Sequence, residues 1–339
     1  MTPRERVLAT LRGESADRIP NFNILMAYAA RHIGRGMDEF CRDHRVLVEA
    51  NLAANEVFGI DLLNTMSDAY RETADYGARI AFPKDALPVC QPLIAGPADM
   101  RLLKPFKIED SSRMLDRLRA VELYKRKAGD EWPIMGWVEG CVAESADLMG
   151  LTGFALALYD EPEMVRDMME ICLETAVGCA QAQVRAGADI IGVGDAVASV
   201  LGPKVYDEWA LPYEQRLFAE IHRCGAKGRL HICGDIGPLL DGIRVCGADI
   251  VDVDWMVDFK TAHDALRGAA IVCGNFDPVS VVLAGTPETV AAAVDECRDA
   301  VDDDCIIMAG CEIPRDTPAQ NLAAVSQALE RRGRPSAKP

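Results

Sequence analysis

Short apolar runs alternate with longer segments of helical periodicity along almost the whole chain, and this alternation restricts the fold more than any other feature. Strands separated by helices form parallel sheets, because each crossover helix returns the chain to the same edge. Eight strand and helix units predict a single (β/α)8 TIM barrel with an N-terminal helical extension. The predicted strands are residues 19–26, 60–66, 133–139, 189–195, 229–233, 249–254, 270–275 and 305–310.

The sequence predicts one domain over residues 1–330, followed by a tail at 331–339 that is rich in Arg, Pro and Lys. One region departs from the alternating pattern. Residues 69–105 contain prolines that interrupt helices, among them Pro83, Pro88, Pro92 and Pro97. We expect a hairpin-like insertion there, close to the open end of the barrel.

Charge and length exclude several classes of function. The 339 residues include 53 Asp and Glu against 36 Lys and Arg, a formal net charge of −17. Proteins that bind nucleic-acid phosphates need a basic surface, so DNA and RNA are not expected partners. No run approaches the ~20 apolar residues of a membrane span. The charged N-terminus is unlike a signal peptide, and we therefore expect a soluble, cytoplasmic protein whose cysteines are reduced thiols.

Polar residues occur where the predicted strands end, which is the end at which barrel enzymes build their active sites. His231 and Cys233 are two residues apart on one strand, so their side chains point to the same side. Cys311 follows the eighth strand and reaches the same end of the barrel. One imidazole and two thiolates are a ligand set for zinc, because soft sulfur disfavours magnesium and calcium. We predict a zinc site with one open position.

Carboxyl and amide side chains end the neighbouring strands. Asp254 is the first candidate for a fourth metal ligand and Glu139 the second, although either could instead orient a ligand. We predict Asp195 and Glu139 as catalytic residues, and Asn275 and Asp252 as substrate-binding residues. Structural alternatives stay open. A His-x-Cys pair on an apolar strand is also typical of a core histidine beside a buried thiol, and Asp195 and Asn275 can satisfy loop amides.

The sequence resembles the uroporphyrinogen decarboxylase superfamily, and within it the zinc-dependent methylcobamide:coenzyme M methyltransferases. The resemblance covers nearly the whole chain and is densest at residues 186–199, 230–234 (Leu-His-Ile-Cys-Gly), 274–278 (Gly-Asn-Phe-Asp-Pro) and 310–321, which begins Gly-Cys-Glu-Ile-Pro. It implies a barrel in which His231, Cys233 and Cys311 bind zinc. It also implies methyl transfer between a methylcobamide, carried by a corrinoid protein, and a thiol or another small molecule, within anaerobic one-carbon metabolism.

Two further resemblances bear on the substrate and the fourth ligand. Residues 136–147 look like a bacterial subgroup of the superfamily whose methyl acceptors vary, so coenzyme M is not assumed to be the acceptor. Cobalamin-independent methionine synthase is similar at the zinc site but has a glutamate where this chain offers Asp254. The shorter aspartate side chain reaches less far toward a metal.

Two other functions are the alternatives. A metal-free uroporphyrinogen decarboxylase holds its polyanionic substrate with arginines near the first strand, in a motif that residues 24–32 of this chain lack. The acidic residues predicted at the barrel mouth would repel carboxylates further. The second alternative is a catalytically inactive barrel that binds a corrinoid or a thiol.

Overall fold

The computed structural model describes residues 1–332 and has a curled parallel sheet covered by helices, as predicted for a TIM-barrel-like α/β fold. The sheet contains seven strands in the spatial order β1-β4-β5-β6-β7-β8-β9, and β2 and β3 form a separate antiparallel hairpin inside the predicted insertion. In chain order the strands are β1 (Leu63–Asn64), β2 (Arg79–Ala81), β3 (Val89–Gln91), β4 (Ile134–Glu139), β5 (Ile190–Gly194), β6 (Lys227–His231), β7 (Ile250–Asp252), β8 (Ile271–Phe276) and β9 (Ile306–Ala309).

Helices cover the sheet and extend the chain at its N-terminus. In chain order the α-helices are α1 (Pro3–Leu11), α2 (Met26–His32), α3 (Met37–Arg42), α4 (His44–Phe58), α5 (Arg71–Asp75), α6 (Arg113–Ala128), α7 (Cys141–Met149), α8 (Leu151–Asp160), α9 (Pro162–Ala186), α10 (Pro203–Val205), α11 (Leu211–Arg223), α12 (Leu240–Ile243), α13 (Phe259–Leu266), α14 (Pro287–Ala300) and α15 (Ala319–Arg332). Within residues 1–332 no single helix is long and apolar enough to cross a membrane; only α7 and α8 together, bent by 106°, reach that length and composition.

The C-terminal boundary of the domain differs slightly from the prediction. The predicted tail begins at residue 331, but Arg331 and Arg332 belong to α15. Arg331 also pairs with Asp295 of α14 at 2.7 Å, so the helix has a partner up to this point. The other predicted tail residues, 333–339, lie outside the described residues.

An extended segment, rather than the predicted strand at residues 19–26, fills the eighth position of the barrel. Asn21 makes a single parallel bridge to Ile307 of β9, and on its other side its carbonyl accepts the backbone N–H of Asp61. The Asn21 side chain accepts from the Asn23 amide, a local bond that competes with a longer ladder. Helix α2 then begins at Met26, which shortens the first predicted strand.

Two glycines on β5 make room for a large side chain inside the barrel. Gly192 pairs with Trp137 of β4, and Gly194 pairs with Glu139. A Cβ atom at Gly192 would lie 2.4 Å from the Trp137 ring, and one at Gly194 would lie 2.7 Å from it. The indole therefore lies across β5 and reaches β6, where its ring centroid is 5.9 Å from that of His231.

A buried ion-pair cluster attaches the N-terminal segment to the barrel. Asp61 is 1% exposed, and its carboxylate accepts from Arg6 at 2.6 Å and from Arg18 at 2.7 Å. The backbone N–H of Asn21 donates to the same carboxylate at 2.8 Å. Because Asn21 has one bridge to the sheet, these bonds supply much of the attachment of its segment.

Replacing this carboxylate should destabilise the fold. We expect Asp61→Ala to lower the free energy of unfolding by about 3–5 kcal/mol, because it leaves a buried arginine without its counter-charge. The control Asp17→Ala removes a 41% exposed partner of Arg6 and should cost less than about 1 kcal/mol. Urea denaturation measures both, and equal losses would show that the Asp61 cluster does not hold the barrel together.

Candidate metal centre

The three predicted zinc donors converge at the open end of the barrel. His231 ends β6, Cys233 follows it by two residues, and Cys311 comes two residues after β9. His231 Nε2 lies 3.2 Å from the sulfur of Cys233, which lies 3.5 Å from the sulfur of Cys311. Ligands of a tetrahedral zinc ion, at bond lengths of about 2.0–2.3 Å, are separated by roughly 3.5–3.8 Å. The structure thus brings the three donors to the spacing of a metal site.

The two thiols have different pKa values. A hydrogen bond from Cys233, helped by His231, lowers the pKa of Cys311 to about 4. The same hydrogen bond and burial raise the pKa of Cys233. Cys311 is therefore the thiol that loses its proton more readily, and a bound cation would favour loss of the second proton. His231 is buried whereas both cysteines are half-buried, so the sulfur atoms lie on the open side of the group.

A buried carboxylate fixes the orientation of His231. Asp252, at the end of β7, lies 2.7 Å from Nδ1 of His231 and accepts from Arg229 at 2.8 Å. Burial opposes ionisation of Asp252, but Arg229 and His231 outweigh burial and hold its pKa below the usual value. An ionised carboxylate can only accept, so Nδ1 carries the proton. Nε2 then faces the sulfur atoms, and it is the nitrogen that would offer its lone pair to a metal.

Arg229 occupies the barrel interior below the donors. Its side chain is 1% exposed, its guanidinium lies 5.3 Å from the centre of the Phe22 ring, and it contacts the sulfur of Met308. Arg229 was not among the predicted site residues, although it precedes His231 by two residues and strand alternation places both on one side. Its partner Asp252 has both oxygens engaged and so positions Arg229 and His231, while the predicted contact of Asp252 with substrate stays a prediction.

Asp254 lies beside the three donors but outside their group. One carboxylate oxygen accepts the backbone N–H of Gly234 and the other that of Trp255, each at 2.7 Å. The carboxylate therefore holds the loop that carries Cys233. Gly310 permits this approach, because a Cβ atom there would lie 2.6 Å from Asp254. Direct ligation by Asp254 stays a prediction.

Asn275 and Asp195 make contacts of the kind that the structural alternatives predict. Asn275 donates to the carbonyl of Val257 at 2.7 Å and so supports the loop that follows β7. Asp195 accepts the backbone N–H of Ala143 at 2.7 Å and caps the first turn of α7. Burial raises the pKa of Asp195 to about 7. The predicted substrate contact of Asn275 and the catalytic role of Asp195 stay predictions.

Glu139 lies close to the metal centre on the side of β4. It pairs with Gly194, and Gly194 pairs with His231, so Glu139 and His231 are separated by two strand spacings, about 10 Å. The indole N–H of Trp137 donates to the Glu139 carboxyl at 2.7 Å. Trp137 thus links Glu139 to the ring of His231.

Three more carboxyl groups surround Glu139, and we name the four residues the carboxyl cluster: Glu72 of α5, Glu139 of β4, and Glu144 and Asp147 of α7. Glu72 accepts the backbone N–H of Glu139 at 3.2 Å. Burial, and then repulsion between the carboxylates, raise the pKa of Glu139 and Glu144 well above the usual value and that of Asp147 to about 8. Glu72 was not predictable as a site residue, because it belongs to the insertion, which no strand pattern places.

Known proteins with similar sequences fall into two functional groups. A family model described as uroporphyrinogen decarboxylase (URO-D) matches residues 2–332. A methylcobamide:CoM methyltransferase from Methanosarcina acetivorans is 29% identical over 328 residues, which are 95% of each chain. A uroporphyrinogen decarboxylase from Pelobacter propionicus is 24% identical over 345 residues, covering 97% of this chain and 99% of the relative.

Solved structures agree on the fold. A methyltransferase from Methanosarcina mazei superposes with a TM-score of 0.89 at 23% identity, covering 98% of this chain and 99% of its own. A B12-independent methionine synthase from Shewanella covers 85% of this chain and 88% of its own, with a TM-score of 0.61 at 15% identity. The family model spans almost every described residue, as the sequence motifs predicted, and the protein therefore belongs to the uroporphyrinogen decarboxylase family.

Proposed function

We propose that the protein is a zinc-dependent corrinoid methyltransferase, which moves a methyl group between a methylcobamide and a thiol or another small molecule. The observation that carries the proposal is the convergence of His231, Cys233 and Cys311 at ligand spacing. Three protein donors leave one position of a tetrahedral ion for the small molecule. Zinc bound there would lower the pKa of a coordinated thiol and so provide a nucleophile at neutral pH.

The curated relatives support methyl transfer but leave the small molecule open. The names of several refer to methylcobamide and coenzyme M, whereas others are uroporphyrinogen decarboxylases. The three sulfur and nitrogen donors favour the first group, because a metal-free decarboxylase has no need of them. At 29% identity or less, we propose the class of reaction for this chain and do not propose coenzyme M as its substrate.

The surrounding side chains would orient the donors and exchange protons. Asp252 keeps His231 in the tautomer that ligates, and Asp254 holds the loop of Cys233. Glu139 and Asp195 are our proposed catalytic residues. Burial raises both pKa values, that of Asp195 to about 7, and a carboxyl group whose pKa is near the ambient pH can exchange protons with a substrate.

Exposed apolar side chains follow several strands at the open end of the barrel, and we name these residues the apolar rim. Trp255 and Met256 directly follow Asp254, Val279 comes shortly after β8, and Val200 shortly after β5; these four side chains are 47–68% exposed. All lie on loops at the carboxyl ends of the strands, the end that carries the metal donors. Exposed apolar patches with polar surroundings mark interaction sites. We propose that this rim receives the cobamide and the corrinoid protein that carries it, because both are too large to enter the barrel.

The metal and the activity should depend on the same cysteines. Purified protein is expected to contain about one zinc ion per chain. Cys233→Ala and Cys311→Ala should each lose the metal and slow methyl transfer from methylcobalamin to a thiol by at least about 100-fold. The control Cys224→Ala removes another half-buried thiol, at the end of α11, and should retain both properties. Metal analysis and the appearance of cob(I)alamin measure the two outcomes.

Other results of the same assays would favour the alternative functions. Full methyl transfer by folded, metal-free protein would refute the zinc dependence. Loss of carboxylates from uroporphyrinogen without zinc would identify a decarboxylase. Binding of a corrinoid or a thiol, with no transfer to thiol or folate acceptors, would identify an inactive barrel.

The Asp252 carboxylate should strengthen metal binding through His231. We expect Asp252→Asn to weaken zinc affinity by about 10–100-fold, because a neutral amide orients and polarises the imidazole less strongly. The matched control is Asp249→Asn, since Asp249 contacts His222 at 2.8 Å at the opposite end of β7. Competition with a chelator measures the affinities, on variants whose urea midpoints show that they are folded. Equal zinc affinity in the two variants would remove the positioning role.

Changes in the apolar rim should weaken binding of the cobamide and leave the zinc content unchanged. We expect Trp255→Ala to raise the KM for methylcobalamin about tenfold, with zinc content unchanged, because the exposed indole supplies contact area for the corrin ring. The control Val245→Ala changes an apolar residue of similar exposure that precedes β7, at the closed end of the barrel. An unchanged KM in Trp255→Ala would place the cobamide elsewhere.

A further inference from the structure

Glu144 of the carboxyl cluster is a buried carboxyl group without a hydrogen-bond partner. It is 2% exposed, and among residues 1–332 neither of its oxygens makes a hydrogen bond of good geometry. The hydroxyl of Thr73 lies close enough to lower the pKa of Glu144, yet it too lacks a hydrogen-bond partner. An unpaired buried group of this kind costs roughly 1–3 kcal/mol. A ligand that pairs with Glu144 would remove this cost.

The carboxyl cluster has more acidic groups than the protein supplies with cations. Besides burial, the other three members each raise the pKa of Glu144, and Glu72 accepts the backbone N–H of Glu139 at 3.2 Å, so the four side chains lie close to one another. Arg117 is the cation of the cluster, and its guanidinium lies 3.4 Å from Glu72 while also donating to main-chain carbonyls. Within the described residues, four carboxyl groups therefore share one guanidinium.

The cluster extends from the metal centre toward solvent and has aromatic side chains beside it. The backbone of its inner member, Glu139, lies about 10 Å from that of His231, and the Glu139 carboxyl reaches over Gly194 of β5, which pairs with His231. Its outer member, Asp147, is half-buried. Trp137 donates to Glu139, and burial followed by the charge of Asp147 raises the pKa of the half-buried Tyr70 to about 12. Carboxylates together with aromatic faces are the groups with which proteins hold ammonium ions.

We propose that the carboxyl cluster binds a cationic nitrogen, an ammonium or quaternary ammonium group, on the small molecule that gives or receives the methyl group. The inference rests on the proposed function of the metal centre and adds the class of substrate. A molecule with its cation in the cluster and its reacting atom at the three donors has to reach across β5, over a backbone separation of about 10 Å. An anionic sulfonate, as in coenzyme M, would meet carboxyl groups instead, because Arg117 and Arg229 are already paired with Glu72 and Asp252.

Calorimetry on the zinc-loaded protein tests the proposal with cationic probes and one neutral probe that matches choline in shape. The probes are methylammonium, trimethylammonium and choline, and the neutral isostere of choline, 3,3-dimethylbutan-1-ol. We expect at least one ammonium probe to bind about tenfold or more tightly than the isostere, as charge-assisted contacts do. Glu144→Gln and Asp147→Asn should each remove most of this difference and leave binding of the isostere unchanged.

The control Glu214→Gln changes another buried carboxyl that has one unpartnered oxygen, outside the cluster on α11. It should leave the affinity for the ammonium probes unchanged. Urea midpoints confirm that each variant is folded, and Asp147→Asn, at a half-buried position, keeps the test valid if Glu144→Gln is unstable. Ammonium probes that bind no better than the isostere, or that bind equally well to Glu144→Gln and Asp147→Asn, would overturn the proposal.

Failure of this proposal can be told apart from failure of the methyltransferase function. Methyl transfer from methylcobalamin to 2-mercaptoethanesulfonate, with no binding of the ammonium probes, would overturn the cationic substrate and support the methyltransferase. Ammonium binding that is lost in Glu144→Gln, with no methyl transfer to any acceptor, would support the cationic site and contradict the methyltransferase.

Discussion

The contact between Asp252, Arg229 and His231 is the constraint on which the rest of the site depends. A fully buried arginine is stable only beside a counter-charge, and Asp252 supplies that charge inside the barrel. The same carboxylate then determines which nitrogen of His231 is free. The packing of the barrel interior and the readiness of the imidazole to bind a metal are therefore set by one side chain. A change that disturbs the interior at Arg229 reaches the metal donors through a single intervening residue.

The convergence of His231, Cys233 and Cys311 was predictable from the sequence because two simple rules place them. Strand alternation puts His231 and Cys233 on one side, and the parallel barrel brings Cys311 to the same end. The sequence predicted less about the residues that hold the donors, because a carboxyl group at a strand end looks the same whether it meets a substrate or a backbone amide. Asp254 and Asn275 make such main-chain contacts in the structure. The order of the strands was predictable, but the short bridge at Asn21 was not, since it depends on local side-chain bonds.

The carboxyl groups at the open end of the barrel disfavour the anionic substrates that the names of the relatives suggest. Uroporphyrinogen carries several carboxylates and coenzyme M carries a sulfonate, and in this barrel both would meet buried carboxyl groups. The barrel, the three donors and the apolar rim are compatible with methyl transfer in general. In our proposal the carboxyl cluster selects the small molecule, and it is built mainly by α5 and α7 rather than by the strands that carry the three donors.

The closure of the barrel at Asn21 also sets the order in which parts of the barrel complete their folding. Asn21 pairs with Ile307, 286 residues further along the chain, so the first part of the barrel to be synthesised cannot complete its contacts until β9 has emerged. Contacts over such sequence distances form slowly, because a long loop must close before they contribute. Cys311 comes two residues after β9. The third metal donor is therefore delivered by the step that closes the barrel, and the complete site exists only in chains that have finished folding.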